Sequence, residues 1–174
     1  PLLARALVLV LSTWGLLFTH ISVFSLDVNR PVVLAGCILC PLAFLAIFSL
    51  PRLRRLPLLG SAAAWSGILW HFQDVLALGG VSMRCSVVNT FARYLDGVTP
   101  IPPLADLPAE TWTYAATLLA LVALVPYCAL TAWALAGRRA PWLFFGLSFP
   151  FLLPALSLTV LPDLPPLLAL LAAW

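Results

Sequence analysis

The sequence predicts an all-α integral membrane protein, a helical bundle of about five full transmembrane helices with a truncated sixth and one outer amphipathic helix. Three observations carry this expectation. Of the 174 residues 63% are hydrophobic and 9% charged, with a mean hydropathy of +1.09, whereas a soluble domain carries about 25% charged residues. Too little polar surface remains to face water, so the surrounding solvent is lipid. The apolar residues also fall in long runs, and about 20 residues suffice to cross a hydrocarbon core about 30 Å thick at about 1.5 Å per residue. Finally, most of the charges sit in the breaks between those runs.

The first span covers 2–26. It exceeds the roughly 7–15 residues of a signal-peptide core, and no small-x-small cleavage site follows it. A second span covers 31–50 and a third 58–78, separated by a short segment with Arg52, Arg54 and Arg55. The long segment after the third span holds the outer helix, over about 81–96. There Ser82, Ser86, Asn89, Arg93 and Asp96 fall at helical spacing on one face, while Val87, Val88, Phe91, Tyr94 and Leu95 fill the opposite arc. Such a helix lies in the membrane interface or lids the bundle. Gly97 ends it, and the prolines at 100, 102 and 103 cannot continue it because they lack an N–H. The fourth span covers 111–136, the fifth 141–161, and the sixth 165–174, where the sequence stops inside an apolar run. With Pro1 in place of an initiator methionine, that reads as a region of a longer chain.

Prolines inside spans release backbone carbonyls. Pro41, Pro126, Pro150 and Pro154 free those of Cys37, Val122, Gly146 and Pro150. In lipid each must find a partner on a neighbouring helix or an ordered water. Such breaks can mark transport sites, or serve as kinks that packing tolerates.

All nine basic residues are arginine. If the spans alternate, Arg5, Arg52, Arg54, Arg55, Arg138 and Arg139 lie on one side and Arg30, Arg84 and Arg93 on the other. The excess marks the cytoplasm, which puts the N-terminus inside a cell (plasma) membrane. Asp27, Asp74, Asp96, Asp106, Glu110 and Asp163 all fall toward the opposite side. The arginine clusters act as orientation anchors, so the net charge of +3 points to the lipid bilayer as partner and not to nucleic acid.

Two groups could carry chemistry. Cys37 and Cys40, three apart on one helix face, could exchange with a disulfide. The pair resembles the first redox pair of membrane disulfide oxidases that pass electrons to quinone. That family follows its pair with an aromatic residue and an arginine and needs a second outer pair; here Pro41-Leu42 follows and only Cys85 lies in the outer segment. Buried cysteine otherwise behaves as a small hydrophobe. The second group is an intramembrane polar cluster of His20, His71 and Asp74. Burying an ionisable residue there costs about 2.5–3.5 kcal/mol on insertion scales, so each is a candidate for proton transfer. A metal needs three or four converging ligands, and with no such spacing, no nucleophile elbow and no phosphate-binding glycine loop, neither metal nor cofactor is expected. Polar residues that reach the interface account for the same pattern.

A wider pattern points to a family. The third span ends in Trp70-His71-Phe72-Gln73-Asp74; an amphipathic outer segment with Val87-Val88-Asn89-Thr90-Phe91 follows, then Val98-Thr99-Pro100. The fourth span closes on Trp133-Ala134-Leu135-Ala136-Gly137-Arg138-Arg139, and Leu161-Pro162-Asp163-Leu164-Pro165-Pro166 leads into a Leu/Ala-rich sixth. This order resembles the N-terminal multi-pass membrane region of bacterial transglutaminase-like membrane proteins, over nearly the whole chain. The resemblance implies that a papain-like Cys-His-Asp domain lies outside the cell, further along the polypeptide. None of Cys37, Cys40, Cys85 and Cys128 matches its cysteine, so the expected role is a membrane anchor that is not itself catalytic, with other helices or that outer C-terminal domain as partners. The alternatives are a small transporter or permease subunit, and a thiol–disulfide oxidoreductase using Cys37 and Cys40.

Overall fold

A computed structural model describes residues 2–49, 56–102, 107–136, 141–156 and 163–174. Among these the chain is all-helical. It forms α1 (Leu2–Val23), α2 (Arg30–Ser49), α3 (Leu56–His71), α4 (Gln73–Tyr94), α5 (Ala109–Ala136), α6 (Pro141–Leu156) and α7 (Leu164–Ala173). Four of them, α1, α2, α4 and α5, are long and apolar enough to cross a membrane.

Local chemistry sets the helix ends. The first helix stops short of the expected 26 because Ser25 takes a left-handed conformation, φ 49°. The Leu26 N–H then donates to the Ile21 carbonyl at 3.1 Å and the Ser25 N–H to Ser22 at 3.4 Å, a Schellman closure in which Leu26 and Ile21 pack in one cluster. Asn29 starts α2: its Oδ1 accepts the Val32 N–H at 3.3 Å, and Pro31 occupies the first turn, where its missing N–H is not needed. Pro165 and Pro166 open α7 on the same principle.

The fifth helix is the hub, packing against α1, α2, α3, α4 and α6. It runs parallel to α2. At one end the Asn29 N–H donates to Thr117 Oγ1 at 2.8 Å and the Thr113 hydroxyl to Asp27 at 2.7 Å; at the other, Leu45 and Phe48 of α2 meet Ala132 of α5. The first helix is antiparallel to both, because Leu9 joins that second cluster. The seventh runs antiparallel to α1, tied by the Asp163 N–H to Ser22 Oγ at 2.9 Å. Gly15 lets the two backbones touch: a Cβ there would sit 2.6 Å from the Pro166 carbonyl oxygen. Lipid tails are as apolar as leucine, so association in a bilayer relies on such small-residue approaches.

Most buried hydroxyls bond to their own helices, while Thr19 Oγ1, fully buried, has no hydrogen-bond partner among the described residues. Thr13, Thr131 and Ser148 are fully buried and donate to the carbonyls of Leu9, Tyr127 and Phe144 at 2.6–2.7 Å, which leaves none of these three donors bare in an apolar medium. The outer surface is the reverse: Leu3 is 85% exposed, Leu39 66% and Trp142 80%. Large apolar side chains turned outward are compatible with a lipid surrounding.

The largest departure from the sequence expectation is at the third span. The helix over 58–78 and the outer helix over 81–96 are redivided. A bend at Phe72 (φ −106°, ψ 19°) separates α3 from α4, and α4 absorbs the end of the one and nearly all of the other. The bend is not a hairpin, since Phe72 N–H still donates to Ile68 and Leu76 N–H to Phe72, and α3 and α4 barely touch. No proline or glycine lies at Trp70-His71-Phe72-Gln73, so packing imposes it. Near its start α4 meets α5 through Gly79 against Ala115; near its end Thr90 donates to the Phe24 carbonyl at 3.3 Å. Ala115 and Phe24 both belong to the bundle end that Asn29 and Thr117 tie together, so α4 crosses that end although its length and composition would let it span.

One released carbonyl has an identified partner. The Trp65 indole N–H of α3 donates to Val122 O at 2.9 Å, the carbonyl that Pro126 leaves open four residues on. Trp65→Phe keeps an aromatic ring but strands that carbonyl, and is expected to cost about 1–3 kcal/mol in denaturant unfolding from micelles. In a Pro126→Ala background, where an α5 N–H can take the carbonyl back, the same change should cost much less.

Candidate functional site

The parallel pairing of α2 and α5 fixes what meets in the bundle centre. From the Asn29–Thr117 tie, Cys40 and Cys128 each lie three turns along, about 16 Å at 1.5 Å per residue, and their thiols come close enough to interact. Cys37 is fully buried beside them, its Sγ 3.9 Å from the Thr13 carbonyl. All three are free thiols, as is Cys85. The candidate pair Cys37/Cys40 is therefore part of a three-thiol cluster on two helices. Sequence reading missed Cys128, because only the register of α2 on α5 reveals it. Apolar walls surround the cluster, the setting in which cysteine is an inert packing residue.

Above it, Tyr127 links three helices. Its hydroxyl donates to Ser148 Oγ of α6 at 3.2 Å and also reaches Ser12 of α1. Tyr127 borders a partly open cavity of about 460 Å³ between α1 and α5, flanked by Met83 and Val87 of α4 and by Leu147 of α6. The walls are almost wholly apolar; Thr13, His20 and Tyr127 supply the polar groups. A carbonyl can only accept, so His20 Nδ1 carries the proton that bonds Leu16 O at 2.8 Å.

The structure separates the candidate polar cluster. His20 lines the cavity. His71 is exposed in the last turn of α3, edge-on to Phe72 with ring centroids 4.8 Å apart. Asp74 is exposed in the first turn of α4, where a carboxylate suits the helix dipole. The Phe72 bend divides His71 from Asp74, and neither lines the His20 cavity. Among the described residues no three His, Cys, Asp or Glu side chains are grouped to hold a metal ion.

A second cavity, of about 270 Å³, lies at the crossing of α4 over the bundle end. Ser82, Ser86, Asn89 and Arg93, the polar face read from the sequence, line it together with Trp112 of α5 and Phe24. Asn89 has a structural task there: its side chain exchanges two bonds with the Ile101 backbone, at 2.8 and 3.1 Å, and holds the segment after Gly97 against α4.

Apolar outer faces, inward hydroxyls and several apolar helices define an all-α bundle that fits a multi-pass membrane protein. No protein-family model, no curated protein and no solved structure matches the chain.

Proposed function

We propose that this chain is the multi-pass anchoring region of a bacterial cell-membrane protein of the transglutaminase-like kind, non-catalytic in itself, with a cytoplasmic N-terminus. The observation that supports it is the separation of charge from an apolar belt. Arg5 belongs to the bundle end where Leu9, Leu45 and Ala132 cluster, and Arg52, Arg54, Arg55, Arg138 and Arg139 follow directly in sequence after α2 and α5 reach it. At the other end are Asp27 and Asp163. Arginine excess marks the cytoplasmic face. The transglutaminase-like assignment rests on the sequence order from Trp70 to Pro166; under it a Cys-His-Asp domain follows on the outer side and this bundle holds it to the bilayer. A small transporter subunit is the second reading, favoured by the His20-lined cavity.

The topology is testable in a background lacking the four native cysteines. Asp163→Cys is expected to react with an impermeant maleimide in intact cells, and Arg54→Cys only after permeabilisation. Equal reaction of both in intact cells would overturn the orientation. A His20→Ala variant that abolished flux of a solute through proteoliposomes would favour the transporter reading over the anchor.

A further inference from the structure

The two cavities share a wall residue. Phe24 lines both, and adjacent positions on α4 face them: Ser82 and Ser86 the outer one, Met83 and Val87 the inner one. Their chemistry is complementary. In the outer cavity Arg93 has no carboxylate partner among the described residues. Hydroxyls within a helix usually bond back to the carbonyl four residues earlier, as Thr90 and Thr117 do. Ser82 and Ser86 make no such bond among the described residues, and the Ser25 hydroxyl beside them is equally unengaged. A cation and three free hydroxyls in one concavity are donors awaiting an anion. Arg93 also stands at the end opposite the arginine-rich one, so it is not an orientation anchor.

We infer that the pair of cavities is a bipartite site for one anionic phospholipid, its phosphodiester held by Arg93, Ser82 and Ser86 and one acyl chain passing Phe24 into the apolar cavity toward Tyr127. Charge complementarity selects the head group. The inner volume of about 460 Å³ falls within the roughly 300–1,000 Å³ of small-molecule sites, and its apolar lining suits a hydrocarbon chain and not a second polar group. The site lies where α1 ends and α5 begins, at the level where a lipid head group meets water. This inference rests on the membrane reading above.

The test uses the purified chain in micelles, with phosphatidylglycerol and phosphatidylcholine of identical chains as probes and bound lipid counted by native mass spectrometry. Phosphatidylglycerol is expected to bind at least about tenfold more tightly. Arg93→Gln should erase that preference, since a hydrogen bond to a charged group amounts to about a tenfold or larger change in affinity, whereas Arg93→Lys should keep most of it. Val87→Phe, which intrudes on the inner cavity, should weaken phosphatidylglycerol binding without changing its preference over phosphatidylcholine. Ser86→Ala offers a milder change if Arg93→Gln disturbs the fold. Equal binding of the two lipids, an unchanged preference in Arg93→Gln, or displacement by inorganic phosphate at matched concentration would each overturn the proposal. Failure of the membrane reading would instead show as a chain that stays dispersed without detergent.

Discussion

Gly79→Val is expected to detach α4 from the bundle. A Cβ at Gly79 would overlap the Ala115 carbonyl, with Leu119 Cβ 3.1 Å away on the same helix. The obstacle is backbone in an α5 turn, which cannot rotate aside as a side chain could. The helix must lift, and the lift should release what its last turns hold: Thr90 on Phe24, Phe91 packed 6.0 Å from the Phe24 ring and the wall formed by Met83 and Val87. Overpacking typically costs about 1–3 kcal/mol, and parting α4 from Phe24 and the cavity wall adds to that. The thermal midpoint in micelles should fall, and Cys85, half-buried on α4, should react faster with maleimide. Gly80→Ala is the control: nothing lies within 4 Å of a Cβ there, so its effect should be near zero or slightly favourable through helix propensity.

The second large effect is expected at Gly15. In Gly15→Val the new side chain meets the Pro166 carbonyl at 2.6 Å and the Leu170 amide nitrogen at 2.7 Å. The main packing partner of α7 is α1, so losing this close approach should separate the two. The readout is a crosslink. Asp163 N–H lies 2.9 Å from Ser22 Oγ, so Ser22→Cys with Asp163→Cys should oxidise readily in the parent and poorly when Gly15→Val is added. Gly67→Ala, with no neighbour within 4 Å, should leave the crosslink intact.

What the sequence disclosed follows from what lipid demands. Run length and charge placement announced most of the helices, and Pro126 announced an open carbonyl at Val122 without naming Trp65 as its partner. Less was legible about which faces pack. In spans that are apolar all round no hydrophobic stripe points inward, so nothing in the period of α2 and α5 says that Cys40 meets Cys128; their register is set by Asn29 and Thr117, 88 positions apart. The bend at Phe72 carries no proline or glycine and appears only when α3 is pinned by Trp65 and α4 by Gly79. The left-handed turn at Ser25 was hidden for a related reason, because serine is not the residue that usually announces one. Of the candidate polar residues, His71 and Asp74 share a turn by spacing alone, and the same bend parts them.

The membrane reading depends on lipid touching the outward faces of the helices. Leu39, midway along α2 and 66% exposed, is the most direct place to ask. A nitroxide at Leu39→Cys, in a chain otherwise free of cysteine and reconstituted into a bilayer, should collide often with molecular oxygen and rarely with a water-soluble nickel complex. Frequent collision with the nickel complex would mean that water bathes this face, and the membrane reading would be wrong.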